Sequence, residues 1–220
     1  MKQKKKSVIK SLGAILAIST ACIFLIVLFF MKKEDKQSFF KLPYFGKKQF
    51  NGKDSVYHTI PDFTLINQNG DIITRKNLEG KIYVTDYFFT TCQSICPIMK
   101  KQMNRVYDKF KNDSEILFVS HTVNPEIDSV LTLKNYSKNL GIDNSKWIFL
   151  TGKKDLLYRL AREGYYLDAS SGNGGPDDFI HTQNFALIDK KFQIRGYYDG
   201  TDSTDVSRLI KEIETLKKEN

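Results

Sequence analysis

Two cysteines that stand four positions apart are the residues of this chain best suited to chemistry. Cys92 and Cys96 follow an apolar, strand-like run over residues 82–89 and precede a helical pattern over residues 97–110. A strand-to-helix turn places both sulfurs beside unpaired amide N–H groups and the positive end of a helix dipole, which favour the thiolate. Thiolates bind soft metals and exchange disulfides. The position of the pair therefore predicts a metal site or a redox dithiol.

The number and spacing of the cysteines argue against a purely structural role for this pair. The chain has three, and Cys22 lies in an apolar run near the N-terminus, so Cys92 and Cys96 are the only pair in the remainder. A structural disulfide stabilises most when it closes a long loop, and a bridge between these two would close a very short one. The polar, turn-like residues around the pair also argue against two inert buried thiols. At positions i and i+4, two sulfurs can lie one helical turn apart on one face.

The first fifty residues predict where this chemistry takes place. Five lysines within residues 1–10 precede an uncharged apolar run over residues 11–31. At about 1.5 Å per residue this run spans roughly 30 Å, the thickness of a bilayer core. The flanking lysines predict a cytoplasmic N-terminus over residues 1–10 and a single-pass anchor in the cytoplasmic (inner) membrane. A polar tether over residues 32–54 then leads to an extracytoplasmic, periplasmic domain over residues 55–220.

Two other interpretations of the N-terminal run are weaker. A cleaved signal peptide has a shorter apolar core followed by a small-residue cleavage site, whereas here the most apolar part lies at the far end. Lipidation of Cys22 is disfavoured because strongly apolar residues follow it. Cys22 is therefore interpreted as a side chain within the membrane segment.

The positive charge of the chain is concentrated in the same region. The formal net charge is +9, and residues 1–36, with eight lysines against Glu34 and Asp35, account for +6 of it, which leaves +3 for the other 184 residues. A basic segment beside a membrane anchor faces anionic lipid. We therefore expect no nucleic-acid partner.

The pattern of apolar residues after position 55 predicts one α/β domain with a central mixed sheet flanked by helices. Strands are predicted over residues 63–66, 72–74, 81–89, 115–122, 147–150, 179–188 and 192–198. Helices are predicted over residues 97–110, 125–140, 153–163 and 203–218. A cysteine pair directly after the first long core strand resembles the thioredoxin-like arrangement, which by itself does not specify a function.

Four segments carry a resemblance to one known family. They are TCQSICP at residues 91–97, FVSHTVNPE at 118–126 with two additional residues around His121, WIFLTG at 147–152, and FIHT followed by FALID within 179–189. These segments resemble the Sco/SenC family of copper-binding cytochrome c oxidase assembly proteins over roughly residues 55–215. The resemblance includes the N-terminal anchor.

The resemblance implies a site and two functions. Copper, as Cu(I) or Cu(II), would be held by Cys92, Cys96 and His181. Soft thiolates select Cu(I), and imidazole also suits Cu(II). The implied function is a metallochaperone whose partner is the copper-site subunit of cytochrome c oxidase. The alternative is a thiol–disulfide oxidoreductase that reduces the cysteines of that subunit; a peroxide-reducing enzyme has only the fold in its favour.

Other side chains near these motifs have ordinary structural explanations. His121 is interpreted as a strand-end residue, although strand ends collect sites in α/β sheets, and His58 as a surface residue. Met99 and Met103, spaced along one helix face, are expected to fill the core. Asp86 lies within an apolar strand, where it either accepts protons from the thiols or pairs with a lysine or an amide.

Overall fold

A computed structural model describes residues 41–50, 55–168, 179–180 and 182–219. The predicted basic N-terminus and anchor, residues 1–10 and 11–31, lie outside these ranges. Within the part of the chain that is described, no helix is both long and apolar enough to cross a membrane.

A seven-stranded mixed sheet forms the centre of the domain, in the order β4-β3-β7-β6-β5-β8-β9. The strands are β3 (Thr64–Asn67), β4 (Ile72–Thr74), β5 (Ile82–Phe88), β6 (Ile116–Thr122), β7 (Trp147–Thr151), β8 (Asn184–Ile188) and β9 (Ile194–Asp199). Strands β5, β6 and β7 are parallel, and the outer strands pair antiparallel. Because β5 and β6 are parallel neighbours, the loops that follow them emerge at the same edge of the sheet.

Strands β5 and β6 are buried along their whole length, as expected for parallel strands covered on both faces. Alternate residues point to opposite faces. Val84 and Phe118 belong to the cluster that packs against three helices, α1 (Cys96–Phe110), α2 (Val130–Leu140) and α4 (Ser203–Glu219). Tyr83 and Val119 belong to the cluster on the other face, with α3 (Lys154–Arg159) and the helical turn after it. The predicted mixed α/β architecture is thus confirmed.

The helix predicted over residues 125–140 is shorter than expected and begins at Val130. Ser129 is its N-cap, since the Ser129 hydroxyl accepts a hydrogen bond from the Thr132 amide. Residues 124–128 form a turn instead, in which the Asp128 amide donates to the Asn124 carbonyl. The prediction failed because Pro125 and Glu126 are suitable for a first helical turn, but the side chain of Asp128 has partners outside the helix.

Two other predicted boundaries also change. The helix predicted over residues 153–163 is α-helical only over Lys154–Arg159 and continues as a π-helical turn over Leu160–Gly164. The strand predicted over residues 179–188 begins only at Asn184, whereas its hairpin partner β9 runs over Ile194–Asp199. In the first case the helix widens into this turn, and the Tyr165 amide donates to the Leu160 carbonyl. In the second case Ile180, which precedes β8, is buried in the core, so the apolar pattern extends beyond the regular strand.

Part of the predicted tether packs on the domain. Strands β1 (Lys48–Phe50) and β2 (Ser55–Tyr57) form a small antiparallel hairpin, and Phe45 pairs with Ile194 of β9. The buried guanidinium of Arg195 donates hydrogen bonds to the carbonyls of Leu42 and Pro43 and is neutralised by ion pairs with Asp189 and Glu219. Residues 42–45 are therefore held against the edge of the sheet.

Candidate metal centre

The thiol pair lies where sequence placed it, at the turn between β5 and α1. Both cysteines are free and half-buried. Cys96 is the first residue of α1 and Pro97 the second, so the helix begins one residue earlier than predicted. Cys92 lies in the preceding loop, where its amide donates to the Phe89 carbonyl. One sulfur thus belongs to a helix and the other to a loop, which makes the loop residues 90–95 responsible for the distance between them.

The two thiols differ in their acidity. For Cys92, burial acts to raise the pKa, but hydrogen bonds from the Cys96 thiol and from the amides of Cys96 and Ser94 outweigh it and hold the pKa below its ordinary value. For Cys96, burial against the core, followed by its interaction with the Cys92 sulfur, raises the pKa to about 12. The arrangement therefore stabilises negative charge on the loop sulfur and a proton on the helix sulfur.

A buried carboxylate that the sequence interpretation did not single out holds the loop before Cys92. Asp128, fully buried in the turn after β6, accepts hydrogen bonds from the Thr90 hydroxyl and amide and from the Thr122 hydroxyl. The local sequence gives only a weak signal for this role. An Asp directly before the N-cap Ser129 would ordinarily be explained by its position near the positive end of the helix dipole.

The Asp86 side chain lies on the face of the sheet that packs against α1, which is also the face that Cys96 contacts. The Trp147 indole N–H donates to the Ser120 hydroxyl at 2.9 Å, and because that N–H can only donate, Ser120 donates in turn to Asp86 Oδ1 at 2.5 Å. Asp86 and Cys96 line one small cavity together with Met99 and Tyr136. Burial, opposed by the hydrogen bond from Ser120, raises the pKa of Asp86 to about 7.

His121 is not brought to the thiols. It lies within β6, and its ring stacks on Tyr87 with centroids 4.9 Å apart, on the face of the sheet opposite to the cluster that Cys96 contacts. Its Nδ1 lies 3.1 Å from the Thr85 hydroxyl, and burial lowers its pKa to about 3, so the ring is neutral. Register explains the outcome, since neighbouring residues of one strand face opposite sides.

His58 is not the surface residue that was predicted. It is half-buried, and its Nε2 donates to the Gly164 carbonyl at 2.7 Å while the Tyr166 hydroxyl lies 3.3 Å from Nδ1. Met99 and Met103 are buried in the cluster beneath α1, which confirms that they fill the core.

His181, the third predicted ligand, lies outside the described residues. Among the residues that are described, no three Cys, His, Asp or Glu side chains gather closely enough to hold a metal ion. The described site is therefore a two-sulfur site.

The fold and this thiol pair define a dithiol protein of the thioredoxin-like class. A family model described as SCO1/SenC matches residues 51–218, and the chain belongs to that family. The SCO1 protein homolog of Bacillus subtilis is 28% identical over 170 residues, which cover 75% of this chain and 88% of that protein.

Two solved structures show the same fold. BsSco, described as a member of the Sco family of cytochrome c oxidase assembly proteins with a disulfide switch, matches with a TM-score of 0.62 and 26% identity, covering 74% of this chain and 96% of that one. ScoI of Arabidopsis thaliana, solved with copper bound, matches with a TM-score of 0.59 and 26% identity, covering 74% and 99%.

The acidity difference predicts that the two thiols react at different rates. In the reduced full-length chain carrying Cys22→Ser, we expect iodoacetamide at pH 7 to alkylate Cys92 at least about tenfold faster than Cys96, because the thiolate is the nucleophile. Peptide mass spectrometry after partial labelling measures both rates. Equal rates, or faster labelling of Cys96, would contradict the assignment.

The raised pKa of Asp86 predicts a pH-dependent stability. Because the folded-state pKa is about 7 and the unfolded value about 3.8, the contribution of this group to stability is complete below pH 4 and is lost as the pH rises through 7. Between pH 5 and pH 8, the free energy of unfolding of the wild type should fall by on the order of 3 kcal/mol relative to Asp86→Asn. Urea denaturation of both proteins at the two pH values measures the difference, and parallel pH profiles would refute it.

Proposed function

We propose that this chain is a copper-binding protein that helps assemble the binuclear copper centre of cytochrome c oxidase. Membership of the SCO1/SenC family supports the proposal, as do a relative solved with copper bound and another described as an oxidase assembly protein. Copper is the cargo, and Cys92, Cys96 and His181 are the proposed ligands.

The observation that carries the proposal is the position of the residues on both sides of His181. The ring of Phe179 meets the ring of Phe89 edge to face, with centroids 5.2 Å apart, and Phe89 stands three residues before Cys92. On the other side, Thr182 and Gln183 line an open groove together with Ile95, the neighbour of Cys96. Consecutive Cα atoms are 3.8 Å apart, so these contacts support a ligand from this segment beside the sulfurs.

The described donors fit copper chemically. Both thiols are free, close enough to hydrogen bond to each other, and located where amide N–H groups offset negative charge. Two soft sulfurs suit Cu(I), and an added imidazole gives a set that also accepts Cu(II). Cys96 packs against the core while Cys92 lies in the loop, so a partner thiolate would replace Cys92 first and Cys96 last during transfer.

A thiol–disulfide oxidoreductase that reduces the cysteines of the oxidase subunit is the second candidate. The opposite pKa shifts of the two thiols favour it, since an exchange enzyme needs one thiolate that attacks and one thiol that resolves the mixed disulfide. In this function Cys92 attacks, Cys96 then displaces the partner sulfur, and the pair ends as a disulfide.

Replacement of His181 separates the two functions. In the full-length chain, kept reduced in detergent, His181→Ala should weaken Cu(I) binding at least about tenfold and remove any Cu(II) complex with sulfur-to-metal charge transfer, because one of three ligands is lost. The rate of disulfide exchange with a dithiol should change little. Chelator competition and absorption and paramagnetic spectra measure the first property, and thiol quantification the second.

The matched control is His58→Gln, which keeps a donor for the Gly164 carbonyl and should bind copper as the wild type does. Copper affinity and spectra that are unchanged in His181→Ala would eliminate the three-ligand site. Failure of the wild type to bind one copper ion per chain would refute the chaperone function as a whole.

We also propose that residues 11–31 anchor the chain in the cytoplasmic membrane with the thiol domain on the extracytoplasmic side. The uncharged length of this run and the lysines before it support the proposal. After an alkaline carbonate wash, the full-length chain should remain with the membrane pellet, and a chain lacking residues 1–31 should not. Release of the full-length chain by the wash would contradict the anchor.

A further inference from the structure

One buried carboxylate connects the thiol loop to the end of a core strand. Asp128 Oδ2 accepts a hydrogen bond from the Thr122 hydroxyl at 2.5 Å, and Oδ1 accepts one from the Thr90 hydroxyl. The Thr90 amide lies 3.2 and 3.3 Å from the two oxygens and donates to both. We name these three residues, Thr90, Thr122 and Asp128, the Asp128 clamp.

The carboxylate is positioned by β6 and not by the loop it holds. Thr122 is the last residue of β6, and its hydroxyl oxygen also accepts a hydrogen bond from the Asn124 amide at 2.9 Å. The Asp128 amide donates to the Asn124 carbonyl, also at 2.9 Å. Asp128 is thus fixed by the turn after a fully buried strand, and Thr90 is the part that attaches to it.

The clamp holds the N-terminal end of the thiol loop, whereas α1 holds the C-terminal end. Cys96 is part of α1, so its backbone is fixed by helical hydrogen bonds, whereas Cys92 is a loop residue two positions after Thr90. Both backbone and side-chain donors of Thr90 go to the same carboxylate. Without it, these donors and the Thr122 hydroxyl lose a charged acceptor in a buried place.

We propose that Asp128 is a positioning residue for the thiol pair and that, acting through Thr90, it determines how closely the Cys92 sulfur is held to the Cys96 sulfur. By holding the loop, Asp128 sets the effective concentration of the Cys92 sulfur at the Cys96 sulfur. This effective concentration affects both the formation of a disulfide and the binding of one ion by the two sulfurs. The metal part of this inference rests on the proposed function. The disulfide part does not, and it provides the test.

The test measures the equilibrium between the dithiol and the disulfide in the full-length chain carrying Cys22→Ser, in detergent. Oxidised dithiothreitol takes up two electrons and two protons and becomes the dithiol, while the Cys92 and Cys96 thiols lose them and form one S–S bond. The fraction oxidised is counted by alkylation and mass spectrometry. The variants are Asp128→Asn, Thr90→Val, Thr90→Ser and Ser129→Ala.

Each variant changes one feature of the clamp or its surroundings. Asp128→Asn keeps the shape but removes one acceptor oxygen, and Thr90→Val replaces only the hydroxyl by a methyl group. Thr90→Ser restores that hydroxyl. Ser129→Ala removes the neighbouring N-cap of α2, so it destabilises the fold without touching the thiol loop.

With a loosened loop, we expect the equilibrium constant for disulfide formation to fall about tenfold in Asp128→Asn and Thr90→Val, equivalent to about 30 mV. Thr90→Ser and Ser129→Ala should match the wild type, although Ser129→Ala should have a lower denaturation midpoint. If Asp128→Asn does not fold, the comparison of Thr90→Val with Thr90→Ser decides the question.

The proposal is overturned if Thr90→Val equals Thr90→Ser, if Ser129→Ala shifts the equilibrium as much as Asp128→Asn, or if the shift favours the disulfide. Copper titration of the same proteins keeps the two conclusions apart. A wild type that binds no copper, with the redox shifts as expected, refutes the proposed function and leaves the clamp in place. Copper binding with no redox shift refutes the clamp alone.

Discussion

The parallel pairing of β5 with β6 determines which side chains can reach the two cysteines. The strands are paired along their full length, from Ile82 with Ile116 to Phe88 with Thr122, and both are buried on both faces. Their carboxyl ends therefore lie together, with the thiol loop after one and the turn containing Asp128 after the other. The hydrogen bonds between Thr90 and Asp128 exist because this pairing brings residues 38 positions apart into contact.

The same pairing separates two polar residues that are adjacent in sequence. Ser120 and His121 are neighbours in β6, yet Ser120 joins the hydrogen bonds of Asp86 on the side of α1, and His121 packs with Tyr87 on the opposite face. Of these two strand residues, Ser120 therefore lies on the face where Asp86 shares a cavity with Cys96. The buried His121 is kept neutral by a pKa of about 3, so it adds a polar contact to the core without adding charge.

The thiol pair itself combines two environments. The Cys92 sulfur lies in a loop, where amide groups donate hydrogen bonds to it. The Cys96 sulfur lies on a helix and packs against the core. This asymmetry suits ligand exchange with a partner as well as disulfide exchange. In the first process Cys92 is the ligand that a partner thiolate displaces first, and in the second Cys92 is the thiolate that attacks the partner disulfide. The two proposed functions therefore use the same geometry, and family membership alone does not choose between them.

The local sequence was sufficient for most elements and for the thiols. Long buried strands, Gly141 after α2 and the turn at Asp189 have short-range signals, and the cysteine spacing with the motifs around it indicated the family. The failure at residues 124–129 has a clear physical cause: their sequence is compatible with a helix, but the conformation depends on the contact of Asp128 with Thr90, far along the chain. Before β8, Ile180 continues the apolar pattern because it is buried in the core outside the regular strand. Tertiary structure alone decided that Asp128 serves Thr90, that Asp86 shares a cavity with Cys96 while His121 does not, and that Phe179 meets Phe89. These contacts depend on the order of the strands and on which face of the sheet each side chain occupies. Short-range sequence patterns do not encode either property.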